Sequence, residues 1–210
     1  MKAYFKLIQI TQILLMDLSI AILLILPIIF SFNPEILPSS TVDNLYLISH
    51  ISLFFVMIVR PLADIFRKVK WIRPLVILRK GTGVLSASII VVFILTKIII
   101  APVEYLSAFG TVEYWSLQNF SLFAHLGDIT AIILLITSNN LSKRILKSWW
   151  KKIQQLSYLY FYSSSLYVFL AYGDEKMAWA ISIVTTLTFL AYVINRREKL
   201  MGAEIKLQTA

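Results

Sequence analysis

Apolar positions along this chain come in long runs interrupted by short polar stretches. Neither the alternation of half-buried strands nor the one-sided stripe of a soluble amphipathic helix is present. Six runs stand out, at about 12–32, 45–59, 83–103, 117–137, 153–172 and 177–194. Each approaches the ~20 residues that a helix needs to cross a hydrocarbon core ~30 Å thick. Arg60-Pro61 stops the second run, and Ser138-Asn139-Asn140 closes the fourth. Because lipid cannot hydrogen-bond an open backbone, the pattern predicts an all-α integral membrane bundle of six transmembrane helices.

Basic residues give that bundle a direction. With the N-terminus inside, Lys2 and Lys6 fall in the cytoplasm. So does the connection carrying Arg60, Arg67, Lys68, Lys70, Arg73, Arg79 and Lys80. Lys143, Arg144, Lys147, Lys151 and Lys152 follow on the same side, as do Arg196, Arg197, Lys199 and Lys206 in the tail. Only Lys97 and Lys176 lie elsewhere, while Glu35, Asp43, Glu104, Glu113, Asp174 and Glu175 fall outside. This asymmetry predicts that both termini are cytoplasmic, in a multi-pass protein of the cell membrane. The first run follows two lysines as a signal peptide would, but it is too long and lacks an A-x-A site, so it reads as an uncleaved span.

Composition agrees. Of 210 residues 59% are apolar and 15% charged, with a mean hydropathy of +0.79, which excludes an ordinary soluble domain. The net charge of +9 is explained by topology, so the expected partner is the lipid bilayer and not nucleic acid. With no Cys, disulfides, Fe–S clusters and thiolate ligands are excluded. No G-x-G-x-x-G or P-loop is present, and Gly81-Thr82-Gly83 is too fragmentary to count as a nucleotide motif. Residues 1–210 form a single transmembrane domain with a sixth helix at 177–194 and a short cytoplasmic tail at 195–210.

Ionisable groups inside a membrane are costly, so each is a candidate for function. Asp17 is central in the first run, while His50, Lys97, His125 and Asp128 all fall in the outer half of the bilayer. His125 and Asp128 are three residues apart and share a helix face, where the carboxylate could orient the imidazole. Two readings of the residues remain open. His50 and His125 could form a haem or metal ligand pair, with Asp128 on an outward proton path. Alternatively, Asp17, Lys97 and Asp128 form a buried polar cluster of mutually compensating charges. Trp149-Trp150 before Lys151-Lys152 reads as an interfacial anchor, and the tyrosines of the fifth run (Tyr158, Tyr160, Tyr162, Tyr167 and Tyr172) read as packing and interfacial residues.

Several phrases, in order, resemble the ferric reductase-like transmembrane domain. Within it they are closest to the haem-binding membrane subunit of the periplasmic methionine sulfoxide reductase system, the MsrQ type. Asn33-Pro34-Glu35 is similar to that group's NPxE, Arg60-Pro61-Leu62 to the end of its second span, and Arg79-Lys80-Gly81-Thr82-Gly83 to its RRxLG. Thr137-Ser138-Asn139 resembles its TS-N, and the stretch from Trp150 to Tyr158 resembles its WxxLHxLxY. The resemblance spans about 30–172 and implies the fold and a haem-based electron-transfer activity. It also places the three haem-ligating histidines of the family on Phe93, Gln154 and Tyr167, none of which is an imidazole.

These observations imply a membrane protein of ferric reductase-like fold with degenerate haem positions, acting as a non-catalytic or ligand-binding subunit with no cofactor. One alternative is a transmembrane electron-transfer oxidoreductase subunit carrying one haem b on His50 and His125, serving another membrane or extracytoplasmic redox protein. A further alternative is a small transporter or proton path through His125, Asp128 and Lys97, for which no inverted repeat is visible.

Overall fold

In the computed structural model, residues 1–32 and 38–208 are described, and among them there are helices and turns but no strand. Asn33-Pro34-Glu35 lies outside the described residues. The elements are α1 (Lys2–Phe32), α2 (Ser39–Ile65), α3 (Ile72–Leu75), α4 (Leu78–Ile100), α5 (Pro102–Ala108), a 3₁₀ turn (Glu113–Trp115), α6 (Ser121–Thr137), α7 (Asn140–Gln154), α8 (Leu156–Tyr172) and α9 (Glu175–Gln208). Each expected apolar run coincides with a helix. Four stretches are long and apolar enough to cross a bilayer: Lys2–Phe32, Ser39–Ile65, Ile72–Ile100 and Glu175–Glu198. A fifth arises if α6 and α7, bent by 114° at their junction, count as one broken span. α6 and α8 are 17 residues each, about 25 Å of helix.

Three boundaries differ from those read in the sequence. Pro61 does not stop α2, which continues to Ile65. A proline removes its own N–H from the helical ladder and crowds the carbonyl of the preceding turn, and Pro61 is buried among neighbours whose packing offsets that cost. The basic stretch after the fourth run is no loop but helix α7. Asn139 starts it, its side chain accepting from Ser142 N at 2.7 Å, and Lys147, at φ 46° and ψ −115°, kinks it into two helical pieces. The tail from residue 195 continues α9 as far as Gln208.

α4 is the axis of the bundle. It packs against α1, α2 and α6, while α8 joins α6 to α9 and α9 returns to α2. Its sequence explains this position. Gly81, Ser86, Ala87 and Ser88 are buried small residues that allow neighbouring backbones to approach, as membrane helices require when no hydrophobic effect drives them together. At Gly81 the approach is closest: an added Cβ would lie 2.9 Å from Leu15 Cβ, and the Gly81 N–H donates to Gln12 Oε1 at 3.0 Å. The apolar core joins α2 (Leu53, Val56, Met57), α4 (Ala87), α6 (Ala131, Leu134), α8 (Tyr160, Phe161) and α9 (Val184).

Candidate functional site

Two polar regions lie at opposite ends of the bundle, and a hydroxyl knot lies within the buried core. In the knot, Ser49 on α2 meets Ser86 on α4 with 3.0 Å between the two Oγ atoms. Ser86 in turn lies 3.1 Å from Tyr160 OH on α8. Three helices are thereby tied by groups that satisfy one another away from water. The sequence offers no warning of it, since serines in an apolar run look like spacers.

The basic segments gather at one end. Tyr4 OH donates to Trp71 O at 2.9 Å, and Arg67 pairs with Glu198 while its guanidinium also bonds Asn195, fastening α2 to α9. Between α2, α4 and the α7–α8 junction opens a cavity of about 740 Å³. Arg60, Arg79, Lys80 and Lys151 stand around it, Ser138, Gln154 and Ser157 add neutral polar groups, and Leu53, Leu134 and Tyr160 form apolar lining. Among the described residues no carboxylate lines it. Arg79 is held by its Nε–H, which donates to Val56 O at 2.9 Å, so its planar fork is oriented in advance. Four like charges around one cavity repel one another and attract an anion. Trp150 closes one side, its Nε1–H donating to Thr137 O at 2.9 Å. The sequence marked this end only as basic; the close placement of Arg60, Arg79 and Lys151, far apart in the chain, appears only in the fold.

The opposite end is closed by aromatic rings from the segment between α4 and α6. Tyr114 stacks flat on His125, ring centroids 3.3 Å apart, and Trp115 meets the same imidazole edge-on at 6.3 Å. Phe109 supports both, and Trp115 Nε1–H donates to Phe109 O at 3.0 Å. Burial pushes the phenols of Tyr105 and Tyr114 up from their ordinary value. None of Tyr105, Phe109, Tyr114 or Trp115 stood out as a candidate in the sequence.

The sequence-predicted residues are dispersed over this framework. His50 is half-buried on α2 with Nδ1 2.8 Å from Tyr46 O; that acceptor fixes the proton on Nδ1 and leaves the lone pair on Nε2, which is buried without a partner. His125, on α6, has a buried partnerless Nδ1. The two helices each pack on α4, and the imidazoles have separate surroundings: His50 is held by Tyr46 O on its own helix, whereas His125 sits beneath the aromatic cap. The expected buried cluster of Asp17, Lys97 and Asp128 is not assembled. Asp128 is half-buried, but Asp17 and Lys97 are exposed, and the only ion pair among the described residues is Arg67 with Glu198. Counting depth along a span places a residue between the membrane faces but says nothing of which way it points.

At the three positions that the resemblance assigns to haem ligands, the side chains are engaged in packing. Phe93 stacks on Tyr46, centroids 4.4 Å apart at 7°, and touches Phe30 at 5.8 Å. Gln154 Nε2 donates to Thr137 Oγ1 at 3.3 Å beside the basic cavity, and Tyr167 meets Tyr172 edge-on at 5.8 Å. A hydrocarbon ring, a bonded amide and a phenol do not fit the bis-imidazole coordination of an electron-transfer haem. Comparison with family models, with curated proteins and with solved structures finds no match to this chain.

Proposed function

We propose that this chain is a six-span, non-catalytic ligand-binding membrane subunit of ferric reductase-like fold, with both termini in the cytoplasm. In it the haem positions of the family are given over to packing, and the ligand is an anion with an apolar body. The carrying observation is the cavity of about 740 Å³ with Arg60, Arg79, Lys80 and Lys151 around it, apolar residues within it and, among the described residues, no carboxylate in its lining. Its placement at the end that collects the basic segments makes it face the cytoplasm under the positive-inside rule. An anionic headgroup would bind the preset guanidinium of Arg79, and its apolar portion would lie against Leu53 and Leu134.

The partnerless Nε2 of His50 and Nδ1 of His125 favour a second reading, an electron-transfer subunit with one haem b on these two imidazoles. A pyridine haemochrome assay on the purified protein separates the two. The ligand-binding reading predicts a colourless preparation. About one haem per chain, lost in both His50→Ala and His125→Ala, would establish electron transfer in its place.

A further inference from the structure

The basic cavity does not end at Arg60. A second cavity of about 520 Å³ adjoins it toward the C-terminus of α2, and Arg60, Val76 and Ile77 belong to the walls of both. Arg67 and Arg73 stand in the second, with Ala63 and Asp64. Along α2, Leu53, Val56 and Arg60 line the first cavity and Arg60, Ala63 and Asp64 the second, a spacing of three and four that keeps them on one face of the helix. The two cavities therefore form one groove along α2.

Cations stand in this groove at two levels. Arg79 is fixed at the inner level by its Nε–H, which donates to Val56 O at 2.9 Å. Arg67 is fixed at the outer level in the same way, its Nε–H donating to Asp64 O at 2.9 Å. Val56 and Asp64 lie about 12 Å apart along the helix axis. The rest of the Arg67 guanidinium is engaged by Glu198 and Asn195, and the Asp64 carboxylate accepts from Asn195 Nδ2 at 3.2 Å. Arg73 is exposed, and its guanidinium has no partner among the described residues, so it is the outer cation left for a ligand. Arg60 serves both levels.

We infer that the ligand is a phospholipid with two phosphodiesters on one headgroup, of the cardiolipin type, one phosphate at Arg79 and the other at Arg73, with Arg60 between them. This rests on the reading of the basic cavity as a site for an anion with an apolar body, and it names that anion. A lipid with one phosphate neutralises one level and leaves the cations of the other repelling one another. Two phosphates joined by a glycerol answer both levels at once, because binding the first brings the second within reach. A pyrophosphate places its charges on adjoining phosphorus atoms and serves a single level. Acyl chains leave the inner level along Leu53 and Leu134.

The test is native mass spectrometry of the full chain in detergent with tetraoleoyl cardiolipin and twice its concentration each of dioleoylphosphatidylglycerol and dioleoylphosphatidylcholine, which equalises phosphate. One cardiolipin should bind per chain, at least about fivefold in excess over phosphatidylglycerol, the effect that one basic residue has at an anionic headgroup. Arg73→Gln should bring cardiolipin down to the level of phosphatidylglycerol and leave the preference for phosphatidylglycerol over phosphatidylcholine unchanged. Arg144→Gln, which removes an exposed charge of α7 that lines neither cavity, should change neither ratio. Equimolar farnesyl diphosphate should not displace cardiolipin. A wild type without the cardiolipin excess, an excess that survives Arg73→Gln or falls as far in Arg144→Gln, or displacement by farnesyl diphosphate would overturn the inference. Each of these leaves the anion site standing as long as phosphatidylglycerol still exceeds phosphatidylcholine, whereas equal binding of all three lipids would remove the site and the inference together.

Discussion

The two ends of the bundle are built from the same helices and finished in opposite ways. At the basic end, α2, α4 and the α7–α8 junction stand apart around an open cavity with Arg60, Arg79, Lys80 and Lys151 about it. At the other end Tyr114 and Trp115 fold over His125 and close it. The difference comes from what each end must do with its polar groups. Like charges cannot pack together, so they hold a cavity that an anion can neutralise. A single neutral imidazole can be covered by flat rings at the gain of apolar contact. The histidines that first attract attention therefore lie at or near the closed end, and the more accessible chemistry lies at the other.

Between the two ends sits the Ser49–Ser86–Tyr160 knot, and breaking it should have the largest effect on both. Ser86→Val takes from the buried Tyr160 hydroxyl its Ser86 partner and leaves Ser49 with only the Ser86 carbonyl, and we expect a loss of about 1–3 kcal/mol. Thermal unfolding in detergent should show it, with Ser86→Ala also destabilising but less so. If Ser86→Val unfolds like the wild type, the knot does not tie the ends together.

Uncovering the closed end should cost less. Tyr114→Ala removes the ring stacked on His125, for which about 1 kcal/mol is expected from the lost aromatic pair. In a His50→Gln background, carbethoxylation of His125 should accelerate several-fold in the variant. An unchanged rate would mean that the cap does not control access to the imidazole.

The smallest effect should come from the charges of that end. Lys97 is exposed and makes no contact pair with half-buried Asp128, so a double-mutant cycle of Lys97→Leu and Asp128→Leu should be additive within about 0.5 kcal/mol. A coupling well above that would restore the compensating pair expected from the sequence and make the closed end electrostatically tuned.

Much of this architecture was legible in the sequence because apolar runs of near-membrane length admit few other structures. All six coincide with helices. What was not legible depended on direction around a helix or on partners distant in sequence. Asp17 was assigned to a buried cluster, whereas its side chain is exposed on the outside of α1. α7 was hidden by five basic residues that suggest a loop, although Asn139 ahead of them is a residue type that starts helices by capping. Pro61 was read as a stop because its missing N–H is visible in the sequence, whereas the packing that tolerates it is not. The basic residues were read as topology alone, and nothing local in the chain indicates that Arg60, Arg79 and Lys151 converge on one cavity.

The measurement closest to the central claim is native mass spectrometry of the protein incubated with equimolar dioleoylphosphatidylglycerol and dioleoylphosphatidylcholine, an anionic and a zwitterionic amphiphile of the same acyl composition. A ligand site at the basic end predicts a one-to-one complex with the phosphatidylglycerol at least tenfold in excess over phosphatidylcholine. That preference should be lost in Arg60→Gln/Arg79→Gln and retained in Tyr114→Ala. Equal binding of the two lipids, or a preference for phosphatidylglycerol that survives loss of both arginines, would contradict it.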